Sequence, residues 1–90
     1  MHAVVVSSLI SDFENARKSL HEQVMPRVKQ TLGFVSGCWL APEDGKGMSI
    51  IIFENEDAAK AMASQMQPGA KLNEFVTIES VNVREVAGHA

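Results

Sequence analysis

The side chains in this sequence that could support chemistry are few and far apart along the chain. His21 is a candidate general base, because imidazole is the side chain most often used to accept a proton. Asn82 and Arg84 share one face of the last predicted strand, and the Arg84 guanidinium suits a ligand carboxylate or quinone oxygen. These three residues are the catalytic candidates. Each has a structural alternative: His21 as a surface residue, Asn82 and Arg84 as the rim of a dimer interface.

Apolar side chains supply the candidates for ligand binding. Trp39 could stack on an aromatic ligand, and Met62 and Met66 could form a soft pocket wall. Ordinary packing in the core or in an interface is the alternative for all three. Cys38 should point away from Trp39 on the same strand and is interpreted as a small core residue. With one cysteine and few other candidate ligands, we expect no disulfide, no metal site and no cofactor.

The charge balance argues against two classes of partner. The formal net charge is -3, and the eight Lys and Arg residues are scattered singly. Nucleic acid and anionic membrane both favour a basic patch, so neither is expected to be a partner. Residues 1–13 have no basic region and no small-residue cleavage pattern, so they resemble neither a signal peptide nor a membrane span. The expected location is the cytoplasm.

The first elements to position these residues are a strand and a long helix. Residues 3–9 are rich in β-branched side chains and predict a strand. Ser11 should open a helix, with Glu14 completing a capping box. Pro26 should kink this helix near residues 22–23, and Gly33 should end it. Apolar residues spaced by three or four line one face of the helix: Phe13, Ala16, Leu20, Val24, Val28 and Leu32.

The rest of the chain predicts a hairpin, a second helix and a last strand. Strands at residues 34–41 and 48–54 flank the turn-forming residues 42–47. Asn55 should cap a helix whose core face carries Ala58, Ala59, Met62, Ala63 and Met66, and residues 75–86 form the last strand. The sequence therefore predicts a single α+β domain over residues 1–90. Its expected layout is ferredoxin-like βαββαβ with a four-stranded antiparallel sheet.

Both faces of the predicted sheet are apolar. In the third strand Met48, Ile50 and Ile52 alternate with Ile51 and Phe53. Two helices on one face leave the other face open, and the open face of an antiparallel sheet is normally polar. A second copy packed face to face would bury this surface, so the sequence predicts a homodimer. An unusually apolar monomer surface is the alternative.

Several segments resemble one family. Residues 32–40 (LGFVSGCWL) resemble the motif PGF-x-x-x-x-x-L at the start of the second strand in the dimeric α+β barrel superfamily. An apolar strand ending at residues 53–55 (FEN) and a helix opening at residues 56–59 (EDAA) follow, as in antibiotic-biosynthesis-monooxygenase-like proteins. The closing strand, residues 76–86 (VTIESVNVREV), is also similar to that group.

The resemblance implies a dimeric α+β barrel with a cleft between helices and sheet. Studied members oxidise small aromatic polyketides there without metal or flavin, or degrade haem. Their polar groups are typically Asn, Trp, Tyr or Arg, or an Asn with an iron-ligating His. This chain has no tyrosine, and its second predicted helix has no histidine, so a haem-ligating position there is missing.

Two functions remain open from the sequence. Because acids, bases and ligands are scarce, the favoured prediction is a non-catalytic domain that binds a small apolar or aromatic molecule in the helix–sheet cleft. The alternative is a cofactor-independent monooxygenase acting on a small aromatic or polyketide-like substrate. RNA-recognition motifs share the order of elements, but Met48 and Ile50 at the base-stacking positions provide no aromatic platform. An amino-acid-binding regulatory domain would need a glycine-rich first turn, which residues 7–10 (SSLI) lack.

Overall fold

The computed structural model describes residues 1–90, which form two helices and a five-stranded antiparallel sheet. The strands are β1 (His2–Ile10), β2 (Phe34–Glu43), β3 (Lys46–Phe53), β4 (Lys71–Asn73) and β5 (Val76–Glu85). The first helix runs without a break through α1 (Phe13–Ser19), a π-helical turn (Leu20–Val24) and α2 (Met25–Lys29). The second helix is α3 (Glu56–Ser64). The chain is therefore α+β, as predicted.

The sheet has one strand more than the sequence predicts. Its order is β2-β3-β1-β5-β4, and each neighbouring pair is antiparallel. The prediction of four strands was wrong because β4 forms an outer edge beside the start of β5. The backbone amide of Ile78 donates to the carbonyl of Ala70 at 2.8 Å, which extends this pairing. A strand of three residues is too short for an alternating pattern to be visible in the sequence.

The β2–β3 hairpin is tighter than predicted. Both strands continue into residues 42–47, so that Glu43 pairs with Lys46 and only Asp44 and Gly45 form the turn. Their φ angles are both positive, at 53° and 77°. A two-residue turn with positive φ at both positions matches the right-handed twist of the strands, and Asp-Gly is a favoured pair for it.

The first helix begins one residue later than predicted. The capping box of Ser11 and Glu14 was wrong: Asp12 is the N-cap, and its Oδ1 accepts from the backbone amide of Asn15 at 3.2 Å. The Ser11 hydroxyl instead donates to the carbonyl of Phe75 at 3.4 Å. Ser and Asp are about equally good N-caps, so two of them in succession give an ambiguous signal.

The remaining helix ends agree with the sequence more closely. Asn55 caps α3 as predicted, since its Oδ1 accepts from the backbone amide of Ala58 at 2.9 Å. The first helix stops at Lys29, and Gly33 has a φ of 82° in the turn that follows. Leu32 lies in that turn and is 93% exposed, so its predicted place on the apolar stripe was wrong. Neither helix is long and apolar enough to span a lipid bilayer.

Pro26 distorts the first helix where the sequence predicts a kink. Proline has no amide proton to donate to the carbonyl of Glu22, four residues earlier, and its ring crowds that carbonyl. The helix contains a π turn over Leu20–Val24 at this place, closed by the Met25 amide donating to the Leu20 carbonyl. Helix distortions commonly occur at prolines and π turns, and here the two coincide.

The core lies between the helices and one face of the sheet. Phe53, Ile78 and Val4 are its largest fully buried side chains and come from three adjacent strands. Ala59 of α3 and Val28 of α2 cover them. The small Ala59 is fully buried and lets α3 approach the sheet closely.

The opposite face of the sheet, called the open face below, has no helix over it. Its residues are Ala3, Val5, Ser7 and Leu9 of β1, Met48, Ile50 and Ile52 of β3, Cys38 and Leu40 of β2, and Ser80, Asn82 and Arg84 of β5. Leu9, Leu40 and Met48 are exposed, whereas Val5 and Ile50 pair with each other and are half-buried. Cys38 is exposed here, so its assignment to the core was wrong.

Candidate functional site

A cleft of about 320 Å³ lies between the first helix and the sheet, and is called the helix–sheet cleft below. Of the 17 residues that line it, 12 are hydrophobic. The first helix forms its wall, β1, β2 and β3 form its floor, and residues of β4 and β5 close one end. Ligand pockets in proteins have volumes of roughly 300–1,000 Å³, so this cleft has room for one small molecule.

The floor is deep because some of its residues have small side chains, whereas other positions on the same face of the sheet carry large ones. Val6, Ser49 and Trp39 lie side by side across three strands, and Ser8 lies opposite Gly47 in the next row. The two serines leave space that larger side chains would fill. The space over Gly47 is taken by Ile10, whose Cδ1 would lie 2.6 Å from a Cβ atom at position 47.

Trp39 has its position in the floor because of a glycine two residues away. A Cβ atom at position 37 would lie 2.7 Å from both Cη2 and Cζ3 of the Trp39 ring. The indole therefore lies back over Gly37, partly buried against the core and partly lining the cleft. A flat aromatic surface at the edge of an apolar cleft is suited to stacking on a planar ligand.

The wall of the cleft consists of one side of the first helix. Apolar side chains spaced by three or four residues face it: Phe13, Ala16, Leu20 and Val24. Arg17 and His21 also line the cleft and are exposed, so they lie at its mouth. The guanidinium carbon of Arg17 lies 5.8 Å from the centroid of the Phe13 ring, within cation–π distance.

The short strand β4 closes one end of the cleft with Leu72 and Asn73. The Asn73 side chain links this strand to its surroundings. Its Oδ1 accepts from the backbone amide of Phe75 at 2.8 Å, and its Nδ2 donates to the hydroxyl of Ser19 at 3.4 Å. The same residue therefore connects β4 with α1 at this end of the cleft.

None of the polar side chains of the cleft is acidic, and each of them can donate a hydrogen bond. They belong to Ser8, Ser49, Asn73, Arg17 and His21, and no Asp or Glu lines the cleft. No three His, Cys, Asp or Glu side chains in the protein come together in a way that could hold a metal ion. This arrangement can bind an apolar body and donate hydrogen bonds to a polar group on it.

The structure brings together two of the residues predicted for the site. Trp39 and His21 both line the cleft. Arg84 and Asn82 lie on the open face, on the other side of the sheet, where they pair with Ala3 and Val5 of β1. They cannot act on a molecule held beside Trp39.

Met62 lies on the core side of α3 and Met66 lies two residues past its end, both outside the helix–sheet cleft. Both pack against the core, and Met62 also lines a second hollow, of about 600 Å³, beside α3. They fill the space between this helix and the sheet, which is the alternative the sequence allowed.

Sequence reasoning missed Arg17, Leu72 and Asn73 as cleft residues. Arg17 follows Phe13 by four residues and precedes His21 by four, so the helical period does place all three on one side. Leu72 and Asn73 enter the cleft only because β4 pairs with β5, and nothing in the sequence indicates that pairing.

Comparison of this chain with protein-family models, with curated proteins and with solved structures finds no match. Its function is therefore argued from two features of its own geometry, the apolar helix–sheet cleft and the apolar open face.

Proposed function

We propose that this protein binds a small, largely apolar or aromatic molecule in the helix–sheet cleft and need not transform it. The observation that supports this most is the combination of an apolar lining with the Trp39 indole in the floor. The space above Ser8 and Ser49 has room for an apolar body between the indole and the helix wall.

The driving force for such binding would be the release of water from apolar walls. A space of about 320 Å³ corresponds to the volume of roughly ten water molecules, at about 30 Å³ each. Small ligands gain about 0.3 kcal/mol per non-hydrogen atom. A probe of about twelve such atoms would therefore bind with a Kd of a few millimolar, roughly 4 kcal/mol.

The test uses the fluorescence of Trp39, the only tryptophan in a chain without tyrosine. Phenylbutyramide is a suitable probe because it is neutral, has one aromatic ring and absorbs little where tryptophan is excited. We expect it to change the Trp39 emission in a saturable way, with a Kd in the millimolar range. A linear, non-saturating response would contradict the proposal.

A pair of variants controls for effects outside the cleft. Ser49→Phe places a ring in the floor and should raise the Kd for phenylbutyramide at least about fivefold, because it occupies the space that the probe needs. Ser64→Phe makes the same change at an exposed position of α3, away from the cleft, and should leave the Kd unchanged. Equal affinity in the two variants would place the binding site elsewhere.

We also propose that the protein resides in the cytoplasm. We propose further that two copies pair through their open faces, as in the dimeric α+β barrel superfamily that the sequence resembles. Leu9 leaves apolar surface exposed on this face, as do Leu40 and Met48, which also border the helix–sheet cleft. A two-fold pair would place like against like.

Strands of about 30 Å, four abreast at about 4.8 Å, span roughly 600 Å² on each copy. The C-terminal tail covers one end of this area, where His89 lies 3.5 Å from the Ser36 hydroxyl. The area left on the two copies together is roughly the 1,000 Å² expected of a specific interface. Asn82 and Arg84 would then lie at the rim.

One observation favours the enzymatic alternative. His21 is the single cleft residue suited to accept and return a proton, since the Arg17 guanidinium stays protonated. In a cofactor-independent oxygenation, it would take a proton from an activated aromatic methylene, and the carbanion would reduce O₂ to a hydroperoxide. Loss of water would then convert CH₂ and O₂ into C=O and H₂O. Oxygen uptake with hydroxylated polycyclic aromatics that disappears in His21→Gln would support catalysis. If the wild-type protein takes up no oxygen with these compounds, only the binding function remains.

A further inference from the structure

The charges around the helix–sheet cleft are one-sided. The chain carries more acidic than basic residues, 11 against 8, and its formal net charge is -3. The cleft nevertheless has no carboxylate among its lining residues, while Arg17 and His21 both contribute to it. The charged and titratable side chains that line the cleft of this acidic protein are therefore basic ones only, which favours an anionic group there.

Arg17 has no anionic partner within the protein. The two ion pairs of the structure join Glu56 to His2 and to Lys60, on α3 and β1, away from the cleft. Asp12, at the start of the helix, accepts from the amide and side chain of Asn15 instead, and Glu14, three residues before Arg17, forms no ion pair with it. The Arg17 side chain packs over the Phe13 ring, which holds its stem along the apolar wall.

His21 lies one helical turn further along the same edge of the cleft. An imidazole has at least one N–H donor in either protonation state, and a guanidinium has five. Two donors four residues apart on a helix lie on the same side, so both can reach one group at the mouth. The apolar floor around Trp39 and Ser49 lies below them.

We infer that the molecule bound in the helix–sheet cleft is an amphipathic organic anion, with an apolar body against Trp39 and an anionic oxygen at Arg17 and His21. This inference rests on the proposed binding function and specifies its ligand class. The anionic group, a carboxylate or a phenolate, takes charge-assisted hydrogen bonds from the Arg17 fork. The apolar body extends toward the serines of the floor.

The test compares phenylbutyrate with phenylbutyramide, which have the same size and shape but differ in charge. Arg17 is exposed and its attraction is weakened by solvent, so we expect the carboxylate to bind only roughly threefold to fivefold more tightly. Affinities are measured from the Trp39 emission at low ionic strength, because salt screens this attraction. Equal affinities would overturn the inference while leaving apolar binding in place.

Two single-charge variants of the same helix identify the residue responsible. Arg17→Gln should abolish the preference for the carboxylate, so that phenylbutyrate and phenylbutyramide bind this variant with equal affinity. Lys18→Gln removes the same charge from the adjacent exposed position, which does not line the cleft, and should keep the preference. An equal loss of the carboxylate preference in both variants would mean that the overall charge of the protein causes it, and would overturn the role of Arg17. If neither probe changes the emission of the wild-type protein, the proposed binding function itself fails, and this inference fails with it.

Discussion

The start of the first helix depends on one carboxylate. Asp12 accepts two hydrogen bonds from Asn15, one from the backbone amide at 3.2 Å and one from the side-chain amide at 2.8 Å. The Ser11 hydroxyl makes a single long contact to the Phe75 carbonyl, at 3.4 Å. Phe13 and Arg17, which line the cleft, follow this cap in the helix. A well-ordered first turn therefore fixes the position of the cleft wall.

Substitution of the two neighbouring residues should therefore have unequal effects. We expect Asp12→Ala to lower the free energy of unfolding by about 1 kcal/mol, because it leaves a helix amide without its capping acceptor. Ser11→Ala should lower it by no more than about 0.5 kcal/mol, as expected for a surface substitution. Urea unfolding followed by Trp39 emission measures both. A larger loss in Ser11→Ala would show that Ser11 is the cap.

At the scale of elements, Gly33 joins the first helix, β2 and α3. Its φ of 82° is in the left-handed region, and a Cβ atom there would lie 2.9 Å from the Cβ of Ala58. Its carbonyl accepts from the backbone amide of Glu54 at 2.8 Å. Gly69 has a similar φ of 88° but open space around it.

Alanine variants of these two glycines separate the effect of backbone strain on stability from the effect of close packing. Gly69→Ala should lower the free energy of unfolding by about 1–2 kcal/mol through the left-handed conformation alone. Gly33→Ala has the same strain and must also push α3 away from β2, which adds at least about 1 kcal/mol. Urea titrations of the two variants give the difference directly. Equal losses would mean that α3 can move aside at no cost.

Local and redundant signals made most of the elements predictable. The hairpin connection within residues 42–47 and the Asn55 cap are each specified by a few adjacent residues, although the turn itself is confined to Asp44 and Gly45. The strand β4 and the extension of β2 to Glu43 depend on pairing with distant or neighbouring strands, and pairing leaves no trace in so short a segment.

The site was predictable only in part for a related reason. Alternation along a strand places Cys38 opposite to Trp39 and groups Asn82 with Arg84, and the structure agrees. Alternation alone does not say which of the two faces meets the helices. His21 and Trp39 happen to face the cleft, whereas the polar pair of β5 faces away from it.

For the whole molecule, the important property is a sheet with two apolar faces and helices on only one. Ile51 is buried against the helices, while Ile50 beside it is half-buried on the open face, between Val5 and Cys38. Cys38 is exposed in the single chain, so its thiol would lose access to reagents when a second copy covers this face.

Ile50→Lys should convert the proposed dimer into a monomer, because it places a charge in the middle of an apolar contact, at a cost of several kcal/mol. Sedimentation velocity measures the change, and circular dichroism checks that the chain remains folded. Leu9→Lys, at an already exposed position of the same face, is the second variant should Ile50→Lys unfold.

Leu32→Lys is the matched control for the dimer, since it replaces an exposed leucine off the open face. It should sediment like the wild-type protein. Dimers that persist in both Ile50→Lys and Leu9→Lys would show that the open face is not the interface, and a wild-type monomer would remove the dimer proposal altogether.

The π turn absorbs one residue without changing which side of the helix faces the cleft. Such a turn holds one residue more than the α-helical turn it replaces, and both complete about one full turn of the helix. Deleting one residue within Leu20–Val24 would therefore restore a regular ladder of hydrogen bonds and keep Phe13 and Arg17 on the cleft side. Related chains could thus gain or lose one residue here while the same wall is presented to a ligand.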